Sequence, residues 1–324
     1  MRILLTGGTG LLGGATARAL LDRGDEVTVL QRRPAGLGCR EVLADVTDRD
    51  AVARAAAGQD AVLHLAAKVG IQGTWREFAA ANIGGTQAVV RGCRAGGVGR
   101  LVHVSSPSVA HAGDPLVGAG AQPADPEGAR GDYSRSKAVA EQVALAADAP
   151  DLAVLAVRPH LVWGAGDRQL VAKIVDRARR GRLPLVGTGA ALIDSTYLDN
   201  AVDALVAAVD VCGAAHGEAL VVSNGEPRPV GELLQRICQA HGVPGPRGRV
   251  PLPVAVAAGA VAEQVFRRLR PASDPPMSRF LAEQLGTAHW FDQRRTREVL
   301  RWVPRIPLEQ GFAALAAHAA GAGT

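Results

Sequence analysis

Lysine and tyrosine are scarce. Of 36 basic residues only three are lysine, namely Lys68, Lys137 and Lys173, and the only tyrosines are Tyr133 and Tyr197. Any chemistry that needs a phenol beside an ammonium draws on this small pool. Cysteine is also rare. Cys39, Cys93, Cys212 and Cys238 form no CxxC pair and have no metal-ligand spacing with histidine, so no metal site is expected. They read as small buried thiols in a reducing compartment. No apolar run approaches the ~20 residues of a spanning helix, the longest candidate being Val254–Ala262. The chain opens on a strand pattern at Arg2 with no signal-peptide pattern, so a soluble, cytoplasmic protein is expected.

What is present is an ordinary globular composition, 48% hydrophobic and 21% charged over 324 residues. This excludes a disordered or collagen-like chain and leaves one large domain or two modest ones. The net charge of +5 permits an acidic partner, but arginine is scattered and no nucleic-acid module is visible. Nucleic acid is therefore not an expected partner.

The first half alternates short apolar strands with helices. Strands are expected at Arg2–Thr6, Glu26–Leu30, Arg40–Leu43, Ala61–Leu65, Leu101–Val104 and Ala153–Val157. Helices are expected at Ala15–Arg23, Asp48–Ala57, Phe78–Gly96 and Tyr133–Ala147. This pattern implies βαβ units and a parallel sheet covered on both faces, an α/β Rossmann fold. The segment Gly113–Gly131 reads as a loop over the site. After residue 165 the pattern loosens around proline-rich stretches at Pro244–Pro253 and Pro271–Pro276. Helices are expected at Leu170–Arg180, Asn200–Val211, Val230–His241, Val254–Arg268 and Ser278–Leu285. The expected division is a nucleotide-binding domain over 1–165 and a smaller, mostly helical substrate lobe over 166–324, with some later segments free to return to the first domain.

The turn Thr6-Gly7-Gly8-Thr9-Gly10-Leu11-Leu12-Gly13 lies after the first strand and before the first helix. Glycines at the first, fourth and seventh places allow a tight turn and close approach of backbone N–H groups to a pyrophosphate. The expected contacts are Gly7, Thr9, Gly10, Leu11, Leu12 and Gly13. The second strand ends in Gln31-Arg32-Arg33, where a site for NADH usually has a carboxylate. Two guanidiniums instead match a 2′-phosphate, so NADPH is expected over NADH, through Arg32 and Arg33. Asp45-Val46 either brackets an adenine or serves as a loop or helix-cap pair.

Tyr133 and Lys137 stand four residues apart at the start of a helix and share one face. An ammonium near a phenol is expected to lower its pKa and fit it for proton transfer to a carbonyl oxygen. A hydroxyl at the end of the fifth strand would orient that oxygen. Ser106 is the first choice, with Ser105 or Ser108 as alternatives.

These motifs resemble a known family. TGGTGLLG, Asp45-Val46, His64-Leu65-Ala66-Ala67, Asn82 in NIGGT, VSSPSV, YSRSK, RPHLVWGAGD and Tyr197-Leu198-Asp199-Asn200 occur in order. Together they resemble an extended short-chain dehydrogenase/reductase. The resemblance implies a catalytic Ser106, Tyr133 and Lys137, with Lys137 also on the nicotinamide ribose. It implies that Asn82 holds a proton-relay water, that Leu65, Ala66 and Ala67 line the cofactor, and that Arg158-Pro159 and His160-Leu161 lie beside the nicotinamide, with Pro159 and Leu161 as contacts. The stretch Met277–Asp292 is similar to the 3β-hydroxysteroid dehydrogenase group. Within that group it resembles the sterol-4-carboxylate dehydrogenases and, more closely, the bacterial reductases of 2-alkyl-3-oxoalkanoic acids in long-chain olefin biosynthesis.

The implied reaction is reduction of a 3-oxo acid by NADPH. The rival readings are a sterol dehydrogenase, a nucleotide-sugar epimerase or dehydratase, and a non-catalytic redox sensor. Phe266, Phe280, Trp290 and Phe291 fit a long apolar substrate. A β-oxo acid loses CO2 spontaneously, which motivates association with the condensing or downstream enzymes of the same pathway. A homodimer is expected at family level. Val254–Arg270, apolar and then basic, is either a packed lid helix or a helix resting on a membrane surface.

Overall fold

The computed structural model describes residues 1–70, 72–269, 275 and 277–321, without the Arg267 side chain. The expected basic residues Arg267 and Arg270, and most of the proline-rich run 271–276, thus fall outside the described residues. The core is a seven-stranded parallel sheet. Its strands include β1 (Arg2–Thr6), β2 (Glu26–Gln31), β3 (Arg40–Leu43), β4 (Ala61–His64) and β5 (Arg100–Val104). A short strand, β6 (Leu116–Ala119), stands outside it, and β7 (Ala153–Pro159) rejoins it. The spatial order is Glu218–Val222, β7, β5, β4, β1, β2, β3. The strand order reverses between β1 and β4, and in such sheets ligands bind at that switch point, beyond the carboxyl ends of the strands.

Helices α1 (Leu11–Asp22), α2 (Arg49–Ala56), α3 (Trp75–Phe78), α4 (Gly85–Gly96) and α5 (Gly131–Leu145) flank the sheet. Two apolar clusters fill its faces. One joins Leu5, Leu63 and Val157 to Ala204, Leu205 and Val209. The other joins Leu4, Val62 and Leu101 to Val52, Val89 and Cys93. Cys93, Cys212 and Cys238 are buried and Cys39 is half-buried, all as free thiols. Burial pushes the Cys93 thiol up to about 12 and the Cys212 thiol up to about 11, which keeps them inert.

The expected helix Phe78–Gly96 forms as three joined pieces, because residues Ala79–Gly84 make a π turn between α3 and α4. The later chain crosses back. The helix Leu198–Val211, the strand Glu218–Val222 and the helix Arg294–Leu300 all supply residues to a core shared with the sheet.

The Gly113–Gly131 loop contains β6, which pairs in parallel with His289–Phe291. With Leu192–Ile193 and Arg228–Pro229 these strands make a second, four-stranded sheet. All five helices expected after residue 165 form, Arg294–Leu300 and Leu308–Gly321 join them among the described residues, and this small sheet is an addition to the expected elements. The four-residue β6 and the two-residue strands carry too little period-2 pattern to be read as strands. Among the described residues, no helix is long and apolar enough to cross a membrane.

Candidate active site

Thr6 ends β1, and Gly7 turns the chain with φ +88°. A Cβ on Gly7 would lie 2.9 Å from the Ala66 nitrogen, so the ends of β1 and β4 touch at the switch point. A Cβ on Gly13 would lie 2.3 Å from the Gly7 carbonyl oxygen, so α1 also packs directly on the turn. Gly10 is the N-cap of α1, and no side chain caps the helix. Thr9 and Gly10 are exposed, Leu11 and Leu12 half-buried. A Cβ on Gly10 would meet only the Gly7 oxygen, at 3.4 Å. An exposed, uncapped helix N-terminus behind a glycine turn fits a pyrophosphate, whose oxygens satisfy the first N–H groups.

Arg32 and Arg33 follow β2 and are exposed. Asp45 sits close enough for the Arg32 charge to help hold its carboxyl below the usual range. The larger cause is local, since Asp45 Oδ1 accepts from the Thr47 N–H (3.0 Å) and hydroxyl (2.8 Å). Asp45 thus closes an Asx turn, while Asp48 caps α2 by accepting from the Ala51 N–H. Val46 is buried and packs on α4, where a Cβ on Gly85 would lie 2.7 Å from its methyl.

Tyr133 and Lys137 project from α5 over the end of β5. Ser106 caps the 3-10 turn Pro107–Ala110, and its hydroxyl pairs with that of Ser108 at 3.0 Å. The Ser106 hydroxyl also lies near enough to the Tyr133 phenol to pull its pKa down against the larger effect of burial. Of the three serines, Ser106 is half-buried, and Ser105 and Ser108 are buried.

The expected influence of Lys137 on Tyr133 needs correcting. Burial raises the Tyr133 phenol above 10, and the opposing pull comes from Ser106. Lys137 instead donates to the Val104 carbonyl at 2.7 Å. Burial lowers the Lys137 ammonium to about 8, and Glu141 one turn further along α5 opposes that fall. Glu141 is bound by Arg158 from the end of β7, through an Nε–Oε2 contact of 2.8 Å and a second from Nη2 to Oε1. Both side chains are fully buried, and Arg158 Nη1 also donates to the Gln122 carbonyl at 2.7 Å.

Behind the site runs a continuous hydrogen-bond chain. The Ala66 N–H donates to Thr6 Oγ1 (3.1 Å), and the Thr6 hydroxyl pairs with His64 Nδ1 (2.7 Å). His64 Nε2 pairs with Thr86 Oγ1 (3.0 Å), and the Thr86 hydroxyl donates to the Asn82 carbonyl (2.7 Å). The Thr86 proton is thus committed, so His64 must carry its own on Nε2 and accept at Nδ1. Burial holds the imidazole neutral, at about 3. The Asn82 amide accepts from the Lys68 N–H (2.7 Å) and donates to the Lys68 carbonyl (3.1 Å) and Ser136 Oγ (2.8 Å). Ser136 in turn donates to the Tyr133 carbonyl at 2.8 Å. The chain ties the end of β1 to α5. Asn82 reaches both sides from the π turn, a feature common at functional sites, and its amide clamps the scaffold.

The sequence reading missed a second polar cluster. His111 Nδ1 accepts from the Gly113 N–H (2.9 Å), so its proton lies on Nε2, aimed at His289 Nε2 2.7 Å away. His160 stacks edge-on against Phe291, centroids 4.9 Å apart, and meets His289 at 6.1 Å. Burial lowers His160 to about 4 and His289 to about 3, so the cluster is neutral at pH 7. It joins the segment after Ser106 to the strand His289–Phe291 across 178 residues of sequence. Lone histidines in loop sequence give no signal of such a pairing. On the cofactor side, Leu65, Ala66 and Ala67 are half-buried after β4. Pro159 ends β7, and Leu161 has φ +42°.

The model of the NAD dependent epimerase/dehydratase family matches residues 3–223. The chain belongs to that family. Its members are the extended short-chain dehydrogenases/reductases. The 2-alkyl-3-oxoalkanoate reductase of Stenotrophomonas maltophilia is 41% identical over 99% of this chain and 100% of its own length. A 3β-hydroxysteroid dehydrogenase/Δ5→4-isomerase of Mycobacterium tuberculosis is 30% identical over 96% of this chain and 88% of its own. The solved UDP-glucuronic acid 4-epimerase of Bacillus cereus, in complex with NAD, superposes with TM-score 0.77 over 100% of both chains at 18% identity. That likeness shows the fold. The chain is a family oxidoreductase with a site for a nicotinamide dinucleotide.

Proposed function

We propose that this family member reduces the 3-oxo group of a 2-alkyl-3-oxoalkanoic acid to the 3-hydroxy acid with NADPH, as a step of long-chain olefin biosynthesis. The observation that carries the reading is the Ser106–Tyr133–Lys137 constellation in a chain that matches the Stenotrophomonas reductase end to end. Bound NADPH supplies the hydride. The Gly7–Gly13 turn would hold its pyrophosphate and Arg32 with Arg33 its 2′-phosphate.

Ser106 donates to the substrate oxygen and orients it beside the Tyr133 phenol. Tyr133 gives that oxygen its proton as negative charge develops. A phenol held above its usual pKa is protonated at neutral pH, which is the form reduction needs. Lys137, anchored on the Val104 carbonyl, would hold the nicotinamide ribose. A 3β-hydroxysterol dehydrogenase is the second reading, favoured by the Mycobacterium relative.

Assay in reverse separates the readings, because 2-alkyl-3-hydroxy acids are stable. Offered hydroxy acids, 3β-hydroxysterols and sugar nucleotides in turn, the enzyme should reduce NADP+ with the hydroxy acids. Turnover of sterols alone would establish the second reading.

Two further outcomes are expected. Arg32→Ala with Arg33→Ala should raise KM for NADPH by about tenfold or more, the scale of one lost charge-assisted hydrogen bond. KM for NADH should barely change, and equal effects on the two cofactors would remove the assignment. Second, kcat/KM for reduction should fall above pH about 8 as Lys137 loses its proton. Deprotonation removes the positive charge, so the falling limb lies on the alkaline side. Lys137→Arg, always charged, should move that limb upward. A limb that stays in place would show that another group titrates.

A further inference from the structure

The helix Leu252–Leu269 is apolar nearly all round, yet it lies on the surface. Such a helix is normally covered on every side. One side is covered by the helix Arg279–Gly286. Ala255 and Ala282 are buried between the two, and a Cβ on Gly259 would lie 2.6 Å from the Arg279 nitrogen. Glu263, the helix's only acidic residue, turns to that side and accepts from the Arg279 N–H at 2.8 Å.

Among the described residues, the opposite side is open. Val254, Ala257, Ala258, Val261, Ala262 and Val265 form one continuous apolar face. Val254 is 55% exposed, Val261 64%, Val265 44% and Leu269, on the same side, 76%. Exposed arginines stand at both ends: Arg247 and Arg249 just before the helix and Arg268 in its last turn. Among the described residues the face carries no carboxylate, tryptophan, tyrosine or arginine, and Phe266 is its one aromatic.

We propose that this face docks on an anionic bilayer surface. The aliphatic side chains would enter the headgroup–acyl boundary, and Arg247, Arg249 and Arg268 would meet lipid phosphates. The smooth aliphatic surface suits a fluid apolar medium, and the basic ends match its charge. This reading is independent of which substrate the enzyme reduces.

The test is co-sedimentation of the full-length protein with sucrose-loaded vesicles. One set is phosphatidylcholine alone, the other phosphatidylcholine with about one-third phosphatidylglycerol. At low salt the bound fraction should be about tenfold or more higher with the anionic vesicles, since each arginine near the surface contributes about 1 kcal/mol. Val261→Asp with Val265→Asp should lower vesicle binding by about tenfold or more and leave the circular dichroism and NADP+ affinity unchanged. Arg247→Gln, Arg249→Gln and Arg268→Gln together, which leave the apolar face intact, should abolish the preference for anionic vesicles. Wild-type protein that stays in the supernatant with both vesicle types would overturn the proposal. So would unaltered binding by both variants. Self-association that the Val261 and Val265 changes abolish, without vesicle binding, would assign the face to a protein contact and likewise overturn it.

Discussion

Tyr133→Phe should lower kcat for ketone reduction by about 10²–10⁴-fold, the usual contribution of a positioned general acid. Phenylalanine keeps the ring and removes only the proton donor. The phosphate turn and Arg32 are built from other elements, so affinity for NADP+ should stay within about twofold. Ser136 bonds the backbone carbonyl of residue 133, and that bond survives the change. Ser106→Ala should lose less, because it removes the orienting donor and leaves the acid. Fluorescence titration of NADPH beside steady-state kinetics would check both. Loss of cofactor binding in Tyr133→Phe would mean that the residue is structural.

Arg158→Met should produce the largest loss of stability. It leaves the Glu141 carboxylate buried without its partner, and breaking such a pair costs about 3–5 kcal/mol. Denaturant unfolding should show a lower midpoint at unchanged m-value. Arg158→Met with Glu141→Leu removes both charges and should recover most of the loss. If the double variant is no more stable than the single one, packing around Arg158 and not its charge carries the effect. The pair also bears on the chemistry, because Glu141 is the group that holds the Lys137 pKa up. Glu141→Gln should therefore shift the alkaline limb of activity to lower pH.

The legible parts of the fold were those written in local pattern. Strands such as Ala61-Val62-Leu63 are continuously apolar because the sheet is buried on both faces, and the glycine turn between β1 and α1 needs residues without a side chain. The Tyr133–Lys137 spacing stood out because so few tyrosines and lysines exist. Illegible were contacts made at long range. Glu218–Val222 completes the sheet only because the chain returns to β7. The strand β6 exists because residues 289–291 lie beside it. His111 and His289 meet 178 residues apart, and the Arg158–Glu141 pair joins β7 to α5. The expected lowering of the Tyr133 pKa was a chemical inference from spacing. It did not anticipate the Val104 carbonyl, which holds the Lys137 ammonium.

The most direct measurement follows the hydride. A 2-alkyl-3-hydroxy acid deuterated at C3 is incubated with the enzyme and NADP+, and the reduced cofactor is isolated for mass analysis. The expected result is NADPH carrying one deuterium, together with the ketone left by decarboxylation of the oxo acid, both formed about 10²–10⁴-fold more slowly with Tyr133→Phe. Absence of labelled NADPH from the hydroxy acid, alongside ready reduction of NADP+ or NAD+ by a 3β-hydroxysterol, would contradict the proposed reaction.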